Sequence, residues 1–330
     1  IFFGTYPYEQ QWRPLIAVLV MLAMLISSAD RRMWNSRLLW IWGIGSFVTF
    51  LLMFGQISIP LGLILFVALG AGGLGMLLRG GVAQSAEING WRALAGIGAL
   101  GLVLRLAGAL PAWSLDIAPF SYVETGLWGG IPVTLILATY GLLFAFPYGV
   151  LLALGRRSRL PLVRLGSVIF IEFWRGVPII TVIFLASLLL PLIMPTGFDV
   201  DRLARAVIGL AFVIAAYMAE AVRGGLQALP DGQTEAAEAL GLGYWRIQRA
   251  IVLPQALRIA LPAMTNEFIA LFKNTTLVLI VSIFDLLGIA QAALADPAWV
   301  GMSMEAYVFA GAIYWFACFG LSQWSRSREK

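Results

Sequence analysis

The polar residues of this sequence stand where polar residues are expensive. Asn266, Glu267, Lys273, Asn274, Thr275 and Thr276 all fall in one apolar stretch, roughly 260–284, and form its densest polar cluster. Glu172 with Arg175, and Glu220 with Arg223, stand three apart in two other apolar stretches. That spacing lets the members of each pair meet on one helix face. A charge at membrane depth is a pathway or gate group by default, and a buried helix rarely carries so many polar groups unless it lines a cavity. The chemistry on offer is recognition and passage of a polar solute. The sequence has no histidine, so imidazole acid–base chemistry and histidine metal ligation are excluded. Its carboxylates do not cluster as a metal or acid–base set would, and no metal is expected. The single Cys318 cannot pair within the chain and reads as a small core residue.

A second polar element is of another kind. Residues 235–254, EAAEALGLGYWRIQRAIVLP, carry two Glu, two Arg, a Gln and two Gly. Upstream, LPDGQ (229–233) is a turn signal. Asp231 or Thr234 can cap the helix that follows, and Glu235 and Glu238 sit where the helix dipole favours them. Gly241 and Gly243 interrupt. A second amphipathic helix then runs to Pro254, which ends it or starts the next element. Two short helices joined at a glycine bend can lie on a bilayer surface as a linker or dock on a soluble partner.

The elements that must position these groups are apolar. The chain of 330 residues is 61% hydrophobic and 12% charged, with mean hydropathy +0.90, against roughly 25% charged in soluble domains. Its apolar runs are near the roughly 20 residues that cross a bilayer as a helix. Short alternating strands of a β-barrel are absent. Nine spans are expected, at roughly 14–29, 38–55, 59–78, 93–110, 131–154, 167–193, 203–224, 260–284 and 305–322. Of the 22 basic residues, Arg13, Arg202 and Arg205 fall in one set of loops and Arg105, Arg175 and Lys273 within spans; the other sixteen fall in the alternate set. The basic set is expected in the cytoplasm, which puts the C-terminus and the 235–254 stretch inside. The net charge of +5 reflects those loops and calls for no nucleic acid. Acids such as Asp116, Asp199, Asp285 and Asp296 fall in the outer set. An outer start implies a further span ahead of Ile1. Two motif matches are discounted: GAGGLG (70–75) lies in an apolar span with no βαβ unit, and Asn274-Thr275-Thr276 lies at membrane depth.

Glu235-Ala236-Ala237, then Gly241, then Ile251-Val252-Leu253-Pro254 resembles the EAA signature of ABC importer permeases without a gap. FIEFWRGVPIITVIF (170–184), AAYMAEAVRGGLQALPDGQTEAAEALG (215–241) and LPQALRIALPAMTNEFIALFKNTTLVLIVSIFDLLG (253–288) narrow the resemblance to the polar, or general L-, amino-acid uptake permeases. It covers about Leu127 to Leu321. It implies an all-α polytopic fold: a five-helix type I importer core at 127–324 with its EAA loop at 226–256. A transmembrane extension at 1–110 of about four helices, an external linker at 111–126 and a cytoplasmic tail at 325–330 complete the expected organisation.

The resemblance also implies the work. Glu235, Ala236, Ala237, Glu238, Gly241, Ile251, Leu253 and Pro254 would couple the chain to a cytoplasmic ABC ATPase dimer. The sequence has no GxxxxGK[ST] nucleotide loop, so ATP and Mg are expected on that partner and the chain is not itself an enzyme. Further expected partners are a second, paralogous permease subunit, a periplasmic amino-acid-binding protein and the lipid of a bacterial inner membrane. An amino acid crossing the bilayer needs partners for both of its charges. Glu220 can meet the ammonium group, and Asn274, Thr275 and Thr276 the carboxylate, with Lys273 supplying charge and Glu267 beside them. Glu172, Arg175 and Arg223 would hold a gate or tie helices. The competing reading is a secondary transporter or channel, which uses charges and broken helices at the midplane and has no need of the EAA loop.

Overall fold

A computed structural model describes residues 2–29, 36–54, 123–194 and 200–329. These residues are mostly helical, with two short strands and the connecting turns. Helices α1 (Trp12–Ala29) and α2 (Ser36–Phe54) come first. After strand β1 (Gly129–Gly130) follow α3 (Ile131–Arg156), α4 (Pro161–Gly176), α5 (Ile179–Ile193) and α6 (Arg202–Gln227). The chain then makes α7 (Gly232–Ala239), α8 (Tyr244–Ile247) and α9 (Leu253–Asn274). Strand β2 (Phe284–Asp285), α10 (Leu286–Ala293) and α11 (Ser303–Glu329) complete it. Among the described residues five helical stretches are long and apolar enough to cross a membrane, or six with α4 and α5 taken as one bent span. The molecule is a multi-pass membrane protein.

The core is the α3–α6 pair, packed along its length, with α9 against α6 on one side. Small residues make this close approach possible, as is usual between membrane helices. A Cβ added at Gly149 of α3 would lie 2.9 Å from the Ala215 carbonyl oxygen of α6. One added at Gly225 of α6 would run into the carbonyl of Ala256 on α9.

Three expectations change. The span expected at 167–193 is two helices meeting at 105°. The break falls at Gly176-Val177-Pro178, where the proline cannot donate to the preceding turn and forces Val177 into an extended conformation (φ −95°, ψ 132°). The span expected at 260–284 starts earlier, at Leu253, because Pro254 sits in the first turn of α9 and does not end the helix before it. A five-residue π-helical segment, Gln248–Val252, feeds α8 into α9. That helix stops at Asn274, and a 3-10 segment, Thr275–Val281, continues the chain. The expected tail at 325–330 prolongs α11 as far as Glu329.

Helices α1 and α2 lie at the first two stretches expected as spans, 14–29 and 38–55; only the first is counted among the five, and it packs on α3. Tyr6 donates to the carbonyls of Leu52 (3.3 Å) and Met53 (3.1 Å), and its burial pushes the phenol up to about 12. Arg13 donates from Nε to Leu52 O at 2.7 Å. The leading residues bind the core directly. Ile131 N donates to Phe2 O at 3.0 Å, and Gly4 bridges Trp128 beside the parallel β1–β2 pair. The spans expected at 59–78 and 93–110, with Arg105, GAGGLG and the linker up to residue 122, lie outside the described residues.

Candidate functional site

The 235–254 element is built as two helices around a glycine, and the glycine closes a specific cap. Gly241 has φ +74°. Its N–H donates to Glu238 O at 2.8 Å, and the N–H of Leu242 donates to Ala237 O at 3.2 Å. This is the paired C-terminal cap that a left-handed glycine permits. No atom lies within 4 Å of an added Cβ, so the glycine is required for its conformation and not for space. The expected N-cap does not form: neither Asp231 nor Thr234 makes a side-chain cap bond to α7, since Asp231 is already in helical conformation.

Burial divides the signature residues. Ala237 is 2% exposed, and Leu253 is buried with Ile247, Val252 and Ala256 beneath the loop. Ile251 is half-buried, whereas Glu235, Ala236, Glu238, Gly241 and Pro254 face outward. Beside them stand Leu240, 79% exposed, and Tyr244 and Trp245, each about half exposed and meeting edge to face at 5.3 Å. The spacing of the signature did not single out these three apolar residues. The signal for them was two adjacent aromatics inside a polar segment. Gln255 ties the loop to α9, its amide lying 3.4 Å from Gln233 Oε1 and 2.8 Å from Ile251 O.

At the same end of the bundle an ionic cluster joins three helices. Arg156, the last residue of α3, lies 2.6 Å from Glu220 of α6 and 3.0 Å from Glu172 of α4. Arg223 grips the other Glu220 oxygen at 2.7 Å, one turn along α6. Arg175 reaches Glu220 at 4.0 Å, stacks over the Tyr217 ring at 5.6 Å, and acts electrostatically on Glu267 of α9. The expected Glu220–Arg223 pair is present. The expected Glu172–Arg175 pair is not what forms: the C-terminus of α3 delivers Arg156 between the two acids, and Glu172 turns to it. Arg156 was counted among the loop cations because it closes an apolar run.

The expected polar cluster of α9 divides by face. Asn266 and Lys273, seven apart, are exposed, and Glu267 and Asn274, seven apart, are half-exposed beside them. These four make one stripe along the helix. Thr275 points the other way. It is fully buried, donates to Phe272 O at 2.9 Å and lies 3.5 Å from the Tyr314 hydroxyl. Thr276 donates to Lys273 O at 2.9 Å. Both threonines serve the helix break.

Beyond Thr275 is a centre that sequence reasoning missed. Asp285, expected in an outer loop, is 0% exposed. Its Oδ2 accepts from Tyr314 of α11 at 2.6 Å, and its Oδ1 from Gly288 N at 2.9 Å as the N-cap of α10. Leu286 N next to it donates to Thr134 of α3 at 3.0 Å. The sequence signal was an aspartate directly after an apolar run and three residues before a glycine. Among the described residues no three Cys, Asp or Glu side chains are placed to hold a metal ion.

Residues 145–326 match the family described as the binding-protein-dependent transport system inner membrane component. This stretch holds the loop, the ionic cluster and the α9 stripe. The chain belongs to that family. Among the members it is similar to is the inner membrane amino-acid ABC transporter permease protein YhdY of Escherichia coli, 57% identical over 208 residues. That match covers 63% of this chain and 57% of YhdY, so the chain spans little more than half the length of that relative. A second is the glutamate/glutamine/aspartate/asparagine transport system permease protein BztC of Rhodobacter capsulatus. It is 38% identical over 345 aligned positions, which cover 99% of this chain and 75% of BztC. This similarity takes in the extension as well as the core. A solved amino acid ABC transporter with histidines superposes with TM-score 0.52 at 28% identity, over 60% of this chain and 89% of that one.

Proposed function

We propose that this chain is a membrane subunit of an ATP-driven importer of polar amino acids. It pairs with a second, paralogous permease subunit to enclose the pathway. A cytoplasmic ABC ATPase dimer binds the ATP and Mg, and a periplasmic amino-acid-binding protein delivers the solute. The basic loops and the C-terminus lie in the cytoplasm of a bacterium, and the Gly129–Asp285 end faces outward.

The observation that carries this reading is the outward surface of α7 and α8. Glu235, Ala236, Glu238, Leu240, Tyr244 and Trp245 stand exposed on a loop whose inner side, from Ala237 to Leu253, is locked into the bundle. A surface linker has no need of such rigid attachment, whereas a lever that passes motion from a soluble motor to the spans does. The ionic cluster then serves as the tie or gate at the cytoplasmic ends of α3, α4 and α6. The stripe Asn266, Glu267, Lys273 and Asn274 faces the pathway. Glu220 is the further candidate for an ammonium group, in competition with Arg156 and Arg223. The names of YhdY and BztC support amino acids as the solute.

The test is isolation of the tagged chain from native membranes with every co-purifying chain identified. An ABC ATPase and a second permease are expected, with ATP-driven uptake of labelled polar amino acids on reconstitution. Uptake sustained by the chain alone, without an ATPase, would contradict the reading.

A further inference from the structure

At the end of the bundle opposite the EAA loop is a cavity of about 200 Å³ between the start of α3, the start of α6 and the turn before β2. It is lined by charges of both signs: Glu124 and Asp201, and Arg202 and Arg205. Most of the rest is apolar wall, including Trp128, Val133 and Phe284, with hydroxyls at Thr125 and Ser282. It is distinct from the ionic cluster and from the α9 stripe, and nothing in the proposed mechanism uses it.

The charges are not spent on one another, for no ion pair joins them among the described residues. Asp201 is committed to structure. Its Oδ1 caps α6 through Leu203 N (2.8 Å) and Ala204 N (3.4 Å), and its Oδ2 accepts from Thr125 at 2.5 Å. Glu124 is exposed and makes no side-chain hydrogen bond or ion pair among the described residues. Arg205 gives one nitrogen to Ser187 O at 2.6 Å, and its occluded Nε has no partner among the described residues. Arg202 is exposed, three residues earlier on the same face of α6. The cavity therefore presents one uncommitted carboxylate and two guanidiniums with donors to spare, separated by apolar wall.

We propose that this cavity is an entry site for a free amino acid, the α-carboxylate accepting from Arg202 and Arg205 and the α-ammonium donating to Glu124. Guanidinium–carboxylate hydrogen bonds are charge-assisted and directional. A zwitterion satisfies both signs at once, which neither an anion nor a cation does. Thr125 and Ser282 offer further hydrogen bonds, and the side chain lies along the apolar wall. The choice of ligand class rests on the importer reading.

The experiment uses the assembled complex in lipid nanodiscs, without the binding protein. Equilibrium binding of radiolabelled L-glutamine is measured, with competition by glutaramic acid, which lacks the α-amino group, and 4-aminobutanamide, which lacks the carboxylate. Arg202→Gln and Glu124→Gln are each expected to weaken glutamine at least tenfold. Glu124→Gln should leave competition by glutaramic acid unchanged, and Arg202→Gln that by 4-aminobutanamide. This charge-matched pattern is one that a merely structural role would not produce. Glutamine affinity unchanged from the unsubstituted complex in both variants would overturn the proposal, as would equal weakening of all three compounds. Loss of binding-protein docking with glutamine binding unchanged would also overturn it, making the cavity a protein contact. ATP-driven uptake of labelled polar amino acids, measured after the same purified complex is reconstituted into sealed proteoliposomes with the binding protein restored, separates the two failures. Uptake with no effect of the variants on glutamine binding removes the entry site alone. No uptake of any labelled amino acid removes the importer reading and the entry site with it.

Discussion

Arg156 and Glu220 meet at 2.6 Å across the α3–α6 interface, and Glu220, only 16% exposed, has two further arginines around it. A carboxylate so surrounded fixes the ends of three helices relative to one another. Arg156→Ala should therefore destabilise the chain by about 1–2 kcal/mol, between the values usual for exposed and for buried pairs. Glu172→Gln, at a side chain 53% exposed, should cost less than about 0.5 kcal/mol. Thermal unfolding of the purified variants checks both. Equal effects would mean that Arg156 is held by Glu172 as much as by Glu220.

The bend at Gly241 calls for a left-handed residue and nothing else. Gly241→Val should leave membrane insertion intact, disrupt the α7 cap, and abolish stimulation of the ATPase in the assembled complex. Gly241→Asn should retain part of it, because asparagine tolerates this conformation better than other side chains. ATPase assays with and without loaded binding protein report the difference. Full stimulation with valine would reduce the loop to a linker.

Two adjacent glycines give a paired test of packing. Gly225→Ala places a methyl group against the Ala256 carbonyl, whereas nothing lies within 4 Å of a Cβ at Gly224. Gly225→Ala should destabilise by about 1–3 kcal/mol. Gly224→Ala should be neutral or slightly stabilising. Unfolding midpoints in one detergent settle the comparison.

Asp285 depends on Tyr314. Tyr314→Phe removes the 2.6 Å donor from a fully buried carboxylate and should cost about 1–3 kcal/mol. Thr275→Val, which removes a hydroxyl bonded to its own helix, should cost roughly 1 kcal/mol and leave substrate preference unchanged. Asn274→Ala, on the open stripe, should change that preference. Competition uptake with several labelled amino acids distinguishes them. A changed preference in Thr275→Val alone would reverse the division of the α9 cluster.

The helices were legible because apolar length and charge asymmetry are local properties, and the α7–α8 bend because only a few residues adopt positive φ. The break at Gly176-Val177-Pro178 was also written locally, but within a run apolar enough to pass for one span. Partnerships were harder to foresee. Glu172 had Arg175 at the right spacing and chose Arg156, because helix ends converge in space without leaving a mark in sequence. Asp285 gave a loop-like signal and proved buried, because its Tyr314 partner lies 29 residues away. The cavity near Glu124 and Arg202 had no motif, as its charges come from segments far apart in the chain.

The central claim is that the exposed face of α7 and α8 contacts an ATPase. Single cysteines at Glu238 and at Ala237, in a Cys318→Ser background, test it by cross-linking in native membranes and mass identification of the product. Position 238 should cross-link to an ABC ATPase subunit, while position 237, facing the bundle, should not. Efficient labelling at 238 with no ATPase adduct, in membranes active for uptake, would contradict the account.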